Sequence, residues 1–321
     1  MKLTKTLSKD YKNKKPIIFL FGPTASGKTE IAIELLKKFP IEIISVDSVM
    51  VYRDCNIGSA KPSKSILKKY KHHMIDILEP SELFTVADFC AISRNLVKKI
   101  HLNNKIPLFV GGSMMYFKSL MDGIHNLPKR NETYRKILHE KKIKNGDDYL
   151  FNMLKDLDLK YSSTINKNDD VRILRALEII HATNEKLSNI LSEKPKNSFK
   201  NNFTIFHFGM ENERDTLHQR IEKRLKQIIE AGLIDEVIFL LDKYHIPSDH
   251  PLRKAVNYKQ AIHFLEKKIT FKEFEQECLY ATRQLAKRQV TWLRSWDKNK
   301  IYDINDTNIM ENKFKKAISL L

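Results

Sequence analysis

Apolar residues in this chain follow two periods. Residues 17–21 read IIFLF, and EIISV (42–46) and PLFV (107–110) are nearly as free of polar interruption. Unbroken apolar runs of this length suit strands covered on both faces. Between them, EIAIELLKKF (30–39) and the stretch from Val86 to Ile100 repeat at helical spacing. Strands alternating with helices predict an α/β fold with a parallel sheet in three layers. From about Asn126 the pattern turns polar and helical, with periodic stretches at 132–143 and 169–182, which predicts an inserted helical lobe over 126–199. FTIFHFGM (203–210) alternates and returns the chain to the sheet. From Glu213 to Ala231, Leu217, Ile221, Leu225 and Ile228 make one helical face, with Gly232 where a helix-ending glycine belongs. Arg220 and Arg224 lie four apart, off that face. A last long helix, about Phe271 to Trp296, is expected to bury Phe274, Cys278, Ala281, Leu285 and Trp292, and to carry Arg283, Lys287 and Arg294 as a basic stripe. The resulting division is a basic tail (1–15), a core (16–125 and 200–321) and the lobe.

Composition narrows the class. The 321 residues are 42% hydrophobic and 30% charged, with no apolar run long enough for a membrane span. MKLTKTLSKDYKNKK at the start has neither the apolar segment of a secretory signal nor the arginines of a mitochondrial one. Cys55, Cys90 and Cys278 are far apart and support neither a disulfide framework nor a zinc site, so a reducing cytoplasm is expected. The net charge of +18 suits a polyanionic partner, although lysine scattered among Asn and Ile would also arise from compositional drift.

The sharpest local signal is Gly22-Pro23-Thr24-Ala25-Ser26-Gly27-Lys28-Thr29. It reads G-x-x-x-x-G-K-T between an apolar strand and an amphipathic helix, the context a P-loop requires. The fold expected is therefore P-loop NTPase-like. Loop N–H groups and the helix N-terminus would cradle a phosphate, Lys28 would add a mobile charge, and Thr29 would hold Mg2+. Such a loop recognises a pyrophosphate moiety, whether its owner is a kinase, a hydrolase or an enzyme that expels pyrophosphate. Two further features follow strands: Asp47-Ser48 after the second, and Gly111-Gly112-Ser113 after the third. Ligands in open α/β sheets collect at these strand ends.

Asp47 has three readings: general base, indirect magnesium ligand, or turn residue. No arginine-rich lid and no H-R-D or D-F-G set favours a kinase. His72 and His73 are adjacent, point in different directions and lack a suitably spaced carboxylate, so a structural role is preferred to a metal site. Trp292 and Trp296 read as core residues rather than base-stacking ones, and Arg172 with Arg175 could be no more than a solvated helix face.

Between Pro16 and Trp296 the chain resembles the tRNA dimethylallyltransferases, or tRNA isopentenyltransferases. The segments that carry the resemblance are GPTASGKTEIAIEL, IISVDSVMVYRDCNIGSAKPS, HHMIDILEPSELFTVADF, IPLFVGGSMMYFKSLMDG, NDDVRILRALEI, LHQRIEKR, AVNYKQ and ATRQLAKRQVTWLRSW. The resemblance implies transfer of a dimethylallyl group from dimethylallyl pyrophosphate to N6 of adenosine 37, beside the tRNA anticodon, with release of pyrophosphate. The loop Gly22 to Thr29 would then hold the diphosphate of the donor, and ATP would not be consumed. Thr24, Ser113 and Arg220 match family positions that contact the diphosphate, and Asp47 matches the general base. The resemblance places tRNA contacts on Asp47, Ser48, Val49 and Met50, on Val171, Arg172, Ile173, Leu174 and Arg175, on Arg253 to Lys259, and along Arg283, Lys287 and Arg294. The lobe would bind tRNA, and a monomer is expected.

Two positions depart from the family pattern. Ser113 stands where threonine is common, keeping the hydroxyl. Asn257 stands where glycine is common; if the backbone there needs positive φ, asparagine is the least costly replacement. Two other readings remain in view: a kinase or isopentenyltransferase acting on free adenine nucleotides, and a catalytically silent RNA-binding module. Lys28, Asp47 and Arg220 argue against the last.

Overall fold

A computed structural model describes residues 14–195, 197–210, 212–296 and 301–321. Apart from Lys14 and Lys15, the expected basic tail lies outside the described residues. The chain divides into two compact units, one formed by the segments up to Met121 and from Phe199 onward, the other by Asp122–Ser198.

The first unit is built on β1 (Pro16–Phe21), β2 (Ile41–Val46), β3 (His72–His73), β4 (Ile106–Gly111), β5 (Thr204–Gly209) and β6 (Ile301–Asp303). All pair in parallel, in the order β3-β2-β4-β1-β5-β6. β1 is central, with Ile18 opposite Leu108 on one side and Phe206 on the other. Its residues are buried throughout because each face has its own cover. Ile18 and Leu20 pack with Leu35, Leu108 and Phe208, while Phe19 and Phe21 face Phe117 at ring distances of 5.0 and 5.3 Å. Each such side chain contributes about 1.5–3 kcal/mol on burial. Trp296 joins the second layer, 5.1 Å from Phe21.

β3 and β6 are too short to show a period and are absent from the sequence reading, as is the helix Thr307–Ile318, which seats Phe314 on the first layer. The β3 histidines have separate partners: His73 Nε2 meets Glu42 at 2.7 Å, and His72 Nδ1 meets the Tyr70 carbonyl at 2.7 Å. Gly232, at φ 93°, follows the helix Arg214–Glu230 and opens the helix Leu233–Lys243.

The long helix Phe271–Ser295 corrects one expectation. Its buried residues are Phe274, Cys278, Ala286, Gln289 and Leu293, whereas Ala281 and Leu285 are only partly buried and Trp292 is 37% exposed. The physical reason is that this helix has two apolar faces, and the one carrying Leu285 and Trp292 borders a cavity. The three cysteines are free and buried. Among the described residues no helix is long and apolar enough to cross a membrane.

The second unit packs helices Glu132–Asn145, Tyr149–Leu157 and Asp170–Thr183 around Leu138, Leu150, Leu154, Ile173, Leu174 and Leu177. In it Glu178 is a buried carboxylate that receives Arg135 through Nε and Nη2 (both 2.9 Å), the Asn131 N–H (2.7 Å) and Arg175 Nη1 (3.1 Å). Burial works to raise its pKa, but the Arg135 and Asn131 hydrogen bonds outweigh it and hold the group below its usual range. Its contribution to stability is therefore present above the ordinary glutamate pKa and is lost as pH falls through the lower folded value. Replacing Glu178 by Ala strands two guanidinium groups and should cost this unit about 3–5 kcal/mol. Hydrogen exchange should show faster opening of amides in 132–183 while β1 amides keep their protection.

Candidate active site

The site begins where β1 ends. Gly27 takes φ 94° at the N-terminus of the helix Lys28–Lys38, a left-handed conformation that a side chain would strain. Ala25 shares the positive region at φ 60°. The Lys28 ammonium curls back to donate to the Pro23 carbonyl and, at 3.3 Å, to Ser26 Oγ. The loop borders a cavity of about 1020 Å³, whose lining includes Thr24 to Thr29, Asp47 to Met50 and Gly111 to Ser113. The three strand-end features thus meet in one place, at the carboxyl ends of β1, β2 and β4, as an open α/β sheet requires.

A fourth element closes the cradle. Gln289 Oε1 accepts the Thr24 N–H at 2.8 Å, and its Nε2 donates to the Gly112 carbonyl at 3.0 Å. A Cβ on Gly112 would lie 2.2 Å from that amide nitrogen, so a side chain there would displace the Gln289 amide. The sequence reading did not identify Gln289. The available signal was a polar residue within an apolar helical face.

Lys28, Arg220 and Arg224 are among the cations lining the cavity, with Lys223, Lys254 and Arg288. Arg220 Nη1 donates to the Ser26 carbonyl at 3.3 Å and Arg224 Nη2 to the Ala60 carbonyl at 3.1 Å. Arg224 also escaped the sequence reading as a site residue, although its i, i+4 spacing from Arg220 puts both on one helical face. Burial, helped by the Arg224 charge and opposed by Asp47 and Glu30, lowers the Lys28 pKa to about 7. Burial also lowers the pKa of Arg224, again opposed by Glu30 and Asp47.

Asp47 Oδ1 accepts the N–H groups of Val49 (2.8 Å) and Met50 (3.1 Å), so the turn role exists. These hydrogen bonds use one carboxylate oxygen and leave Oδ2 as an acceptor. Ser113 lines the same cavity, its N–H directed at the Val46 carbonyl (3.4 Å). Thr29 also lines it, and among the described residues no three His, Cys, Asp or Glu side chains gather into a metal cluster. A hydroxyl beside carboxylate and phosphate oxygens is nevertheless the hard, sparse donor set that magnesium accepts.

The expected tRNA contacts divide by exposure. Val171 is 73% exposed and Arg172 is exposed, whereas Ile173 (1%) and Leu174 (6%) belong to the core of their unit and present no side chain to a partner. Arg175 is occupied by Glu178 and the Pro128 carbonyl (2.6 Å). In the other unit, Lys259, Lys287 and Arg294 are exposed, while Arg253 pairs with Glu266 (3.7 Å) and Arg283 with Glu222 (3.7 Å). This division has one cause: residues contiguous in a motif occupy different faces of a helix. Asn257 does have the positive φ anticipated for it, 74°.

A parallel sheet with a glycine-rich loop at its carboxyl edge and an inserted helical unit defines a P-loop NTPase-like scaffold. The IPP transferase family profile matches residues 50–296, and the chain belongs to that family. It is 39% identical to a tRNA dimethylallyltransferase of Nitrosomonas europaea over 304 residues, 94% of each chain. It is 42% identical to one of Legionella pneumophila over 310 residues, 96% of this chain and 97% of the relative. Among solved structures, the full-length tRNA isopentenylpyrophosphate transferase of Bacillus halodurans has a TM-score of 0.67 at 32% identity, covering 96% of this chain and 99% of its own. A eukaryotic dimethylallyltransferase acting on tRNA has a TM-score of 0.77 at 26% identity, covering 93% of this chain and 77% of its own.

The low Lys28 pKa has a measurable consequence. A bound diphosphate favours the charged ammonium, so binding at pH 8 should draw a proton from solution onto Lys28. Affinity for a diphosphate should weaken above about pH 7 relative to Lys28→Arg, whose guanidinium stays charged. Calorimetry at pH 8 in buffers of different ionisation enthalpy reads that proton directly; equal uptake in Lys28→Arg would refute the assignment.

Proposed function

We propose that this protein transfers a dimethylallyl group from dimethylallyl pyrophosphate to N6 of adenosine 37 in the anticodon loop of tRNA, releasing pyrophosphate. The observation that carries this reading is the joint placement of Lys28, Arg220, Arg224 and the Asp47 carboxylate around one cavity of about 1020 Å³. That volume lies at the upper end for small-molecule sites, enough for a five-carbon diphosphate and an extruded base together. The named activities of the relatives support the same reading.

The chemistry follows from the charges. As the allylic C–O bond breaks, negative charge accumulates on the leaving pyrophosphate. Lys28, Arg220, the loop N–H groups and the hydroxyls of Thr24 and Ser113 are set to stabilise it. Magnesium held at Thr29 and the diphosphate oxygens would add Lewis-acid charge to that leaving group. The N6 lone pair is drawn into the adenine ring and is a poor nucleophile. Asp47 relieves this by taking the N6 proton as the new C–N bond forms, through the oxygen not committed to its turn. ATP is not a reactant. The exposed Lys259, Lys287 and Arg294, with Val171 and Arg172 on the second unit, supply contacts for a polyanion. We assign a monomer in a reducing cytoplasm, in keeping with three unpaired, buried cysteines. Incubating the protein with labelled dimethylallyl pyrophosphate and either tRNA or AMP tests the reading; labelling of AMP but not tRNA would favour the free-nucleotide alternative.

Asp47→Asn isolates the base. Asparagine keeps an Oδ1 acceptor for the Val49 and Met50 amides, so the turn survives while the proton acceptor is removed. Single-turnover rate should fall by roughly 10² to 10⁴ with Kd for tRNA and diphosphate nearly unchanged. Weaker diphosphate binding rescued by added magnesium would instead mark Asp47 as an indirect metal ligand.

Binding to tRNA should weaken steeply with salt. Removing Lys287 or Arg294 should lower the slope of log K against log salt by about 0.7 to 0.9 for each phosphate left without its cation. A flat salt response in filter binding would reduce these residues to a solvated face.

A further inference from the structure

The turn Asn56–Ala60 forms part of the cavity wall, and its backbone is moulded on one carboxylate from a different element. Glu236 is buried in the helix Leu233–Lys243. Its Oε2 accepts the N–H groups of Asn56 (2.8 Å) and Ile57 (2.6 Å), and its Oε1 accepts the Gly58 N–H and the Tyr258 hydroxyl, both at 2.9 Å. Four donors saturate the carboxylate without a cation. Asn257 Nδ2 adds a second tie, to the Gly58 carbonyl at 3.0 Å. At Gly58 a Cβ would lie 2.7 Å from the Tyr258 ring, so the two segments are pressed together.

This arrangement costs conformational energy. Ala60 sits at φ 52° and Asn257 at φ 74°, both unfavourable for residues with a side chain and persistent only where neighbours over-determine them. What the strained turn delivers is the Ala60 carbonyl, which receives Arg224 Nη2. Arg224 is half-buried and feels the Lys28 charge, and without that acceptor its guanidinium would turn away from the like charge and toward water.

We propose that Glu236 is a positioning residue for the diphosphate: through the Asn56–Ala60 turn it sets the Ala60 carbonyl, and with it the Arg224 guanidinium, where that group meets a diphosphate bound beside Lys28. The inference rests on reading the cavity as a diphosphate site.

Inorganic pyrophosphate, titrated calorimetrically into the full chain with magnesium present, tests it in a cycle of parent, Glu236→Gln, Arg224→Ala and the double variant. Glutamine keeps the size of Glu236 but puts an amino group against two donors. Glu236→Gln should weaken binding about tenfold, Arg224→Ala at least as much, and the double variant no more than Arg224→Ala alone. Tyr258→Phe removes one of the four donors, should give a smaller loss that also vanishes with Arg224→Ala, and replaces Glu236→Gln in the cycle if that variant does not fold. Unchanged affinity in the variant, or losses that add, overturns the role of Glu236 and leaves the diphosphate site standing. A parent protein that binds no pyrophosphate overturns both.

Discussion

Gln289 takes the Thr24 N–H on its carbonyl oxygen and gives its amino group to the Gly112 carbonyl, so one side-chain amide joins the phosphate loop, the end of β4 and the long C-terminal helix. Each partner alone would be a loop free to relax. Joined, they hold the loop N–H groups, the Ser113 hydroxyl and the helix face bearing Leu285 and Trp292 around the same space. The sheet supplies the frame, because the registers of β1 with β4 and β2 with β4 bring three strand ends level. The amide bridge converts level strand ends into a closed cradle.

That cradle is built against its own charge. Lys28 and Arg224 repel, and both lose water, which is why the lysine is easily neutralised. A cluster of this kind destabilises the fold and is tolerated because sheet packing and the buried aromatic layer supply stability elsewhere. In return the donors are already oriented before an anion arrives, so little reorganisation remains for the moment when charge develops.

The central fold was legible because its strands are buried on both faces and therefore unbroken in the sequence. β1, β2 and β4 were located to within a residue or so by that signal, and β5 by its alternation. β3 and β6, of two and three residues, carry no period to detect. At the cavity, the positions of the P-loop and Asp47 were legible because each directly follows a strand, β1 and β2. Gln289 and Arg224 were not assigned, because their importance comes from partners far away in the chain. The long helix misled for a related reason: apolar residues that border a cavity carry the same helical period as residues packed in a core. Leu285 and Trp292 satisfy that pattern while facing the cavity.

The second unit leaves the chain after Met121 and returns it before Phe199, between β4 and β5. β4 and β5 flank β1 in parallel, so the link between them had to be a long crossover in any case. An insertion at that point changes no strand order and adds only the slowly growing entropy of a longer loop. The sheet and its cradle can therefore stay constant while the inserted helices lengthen, shrink or are exchanged. In such a scaffold, the sheet-borne cavity and the inserted helices can diverge at different rates within one chain.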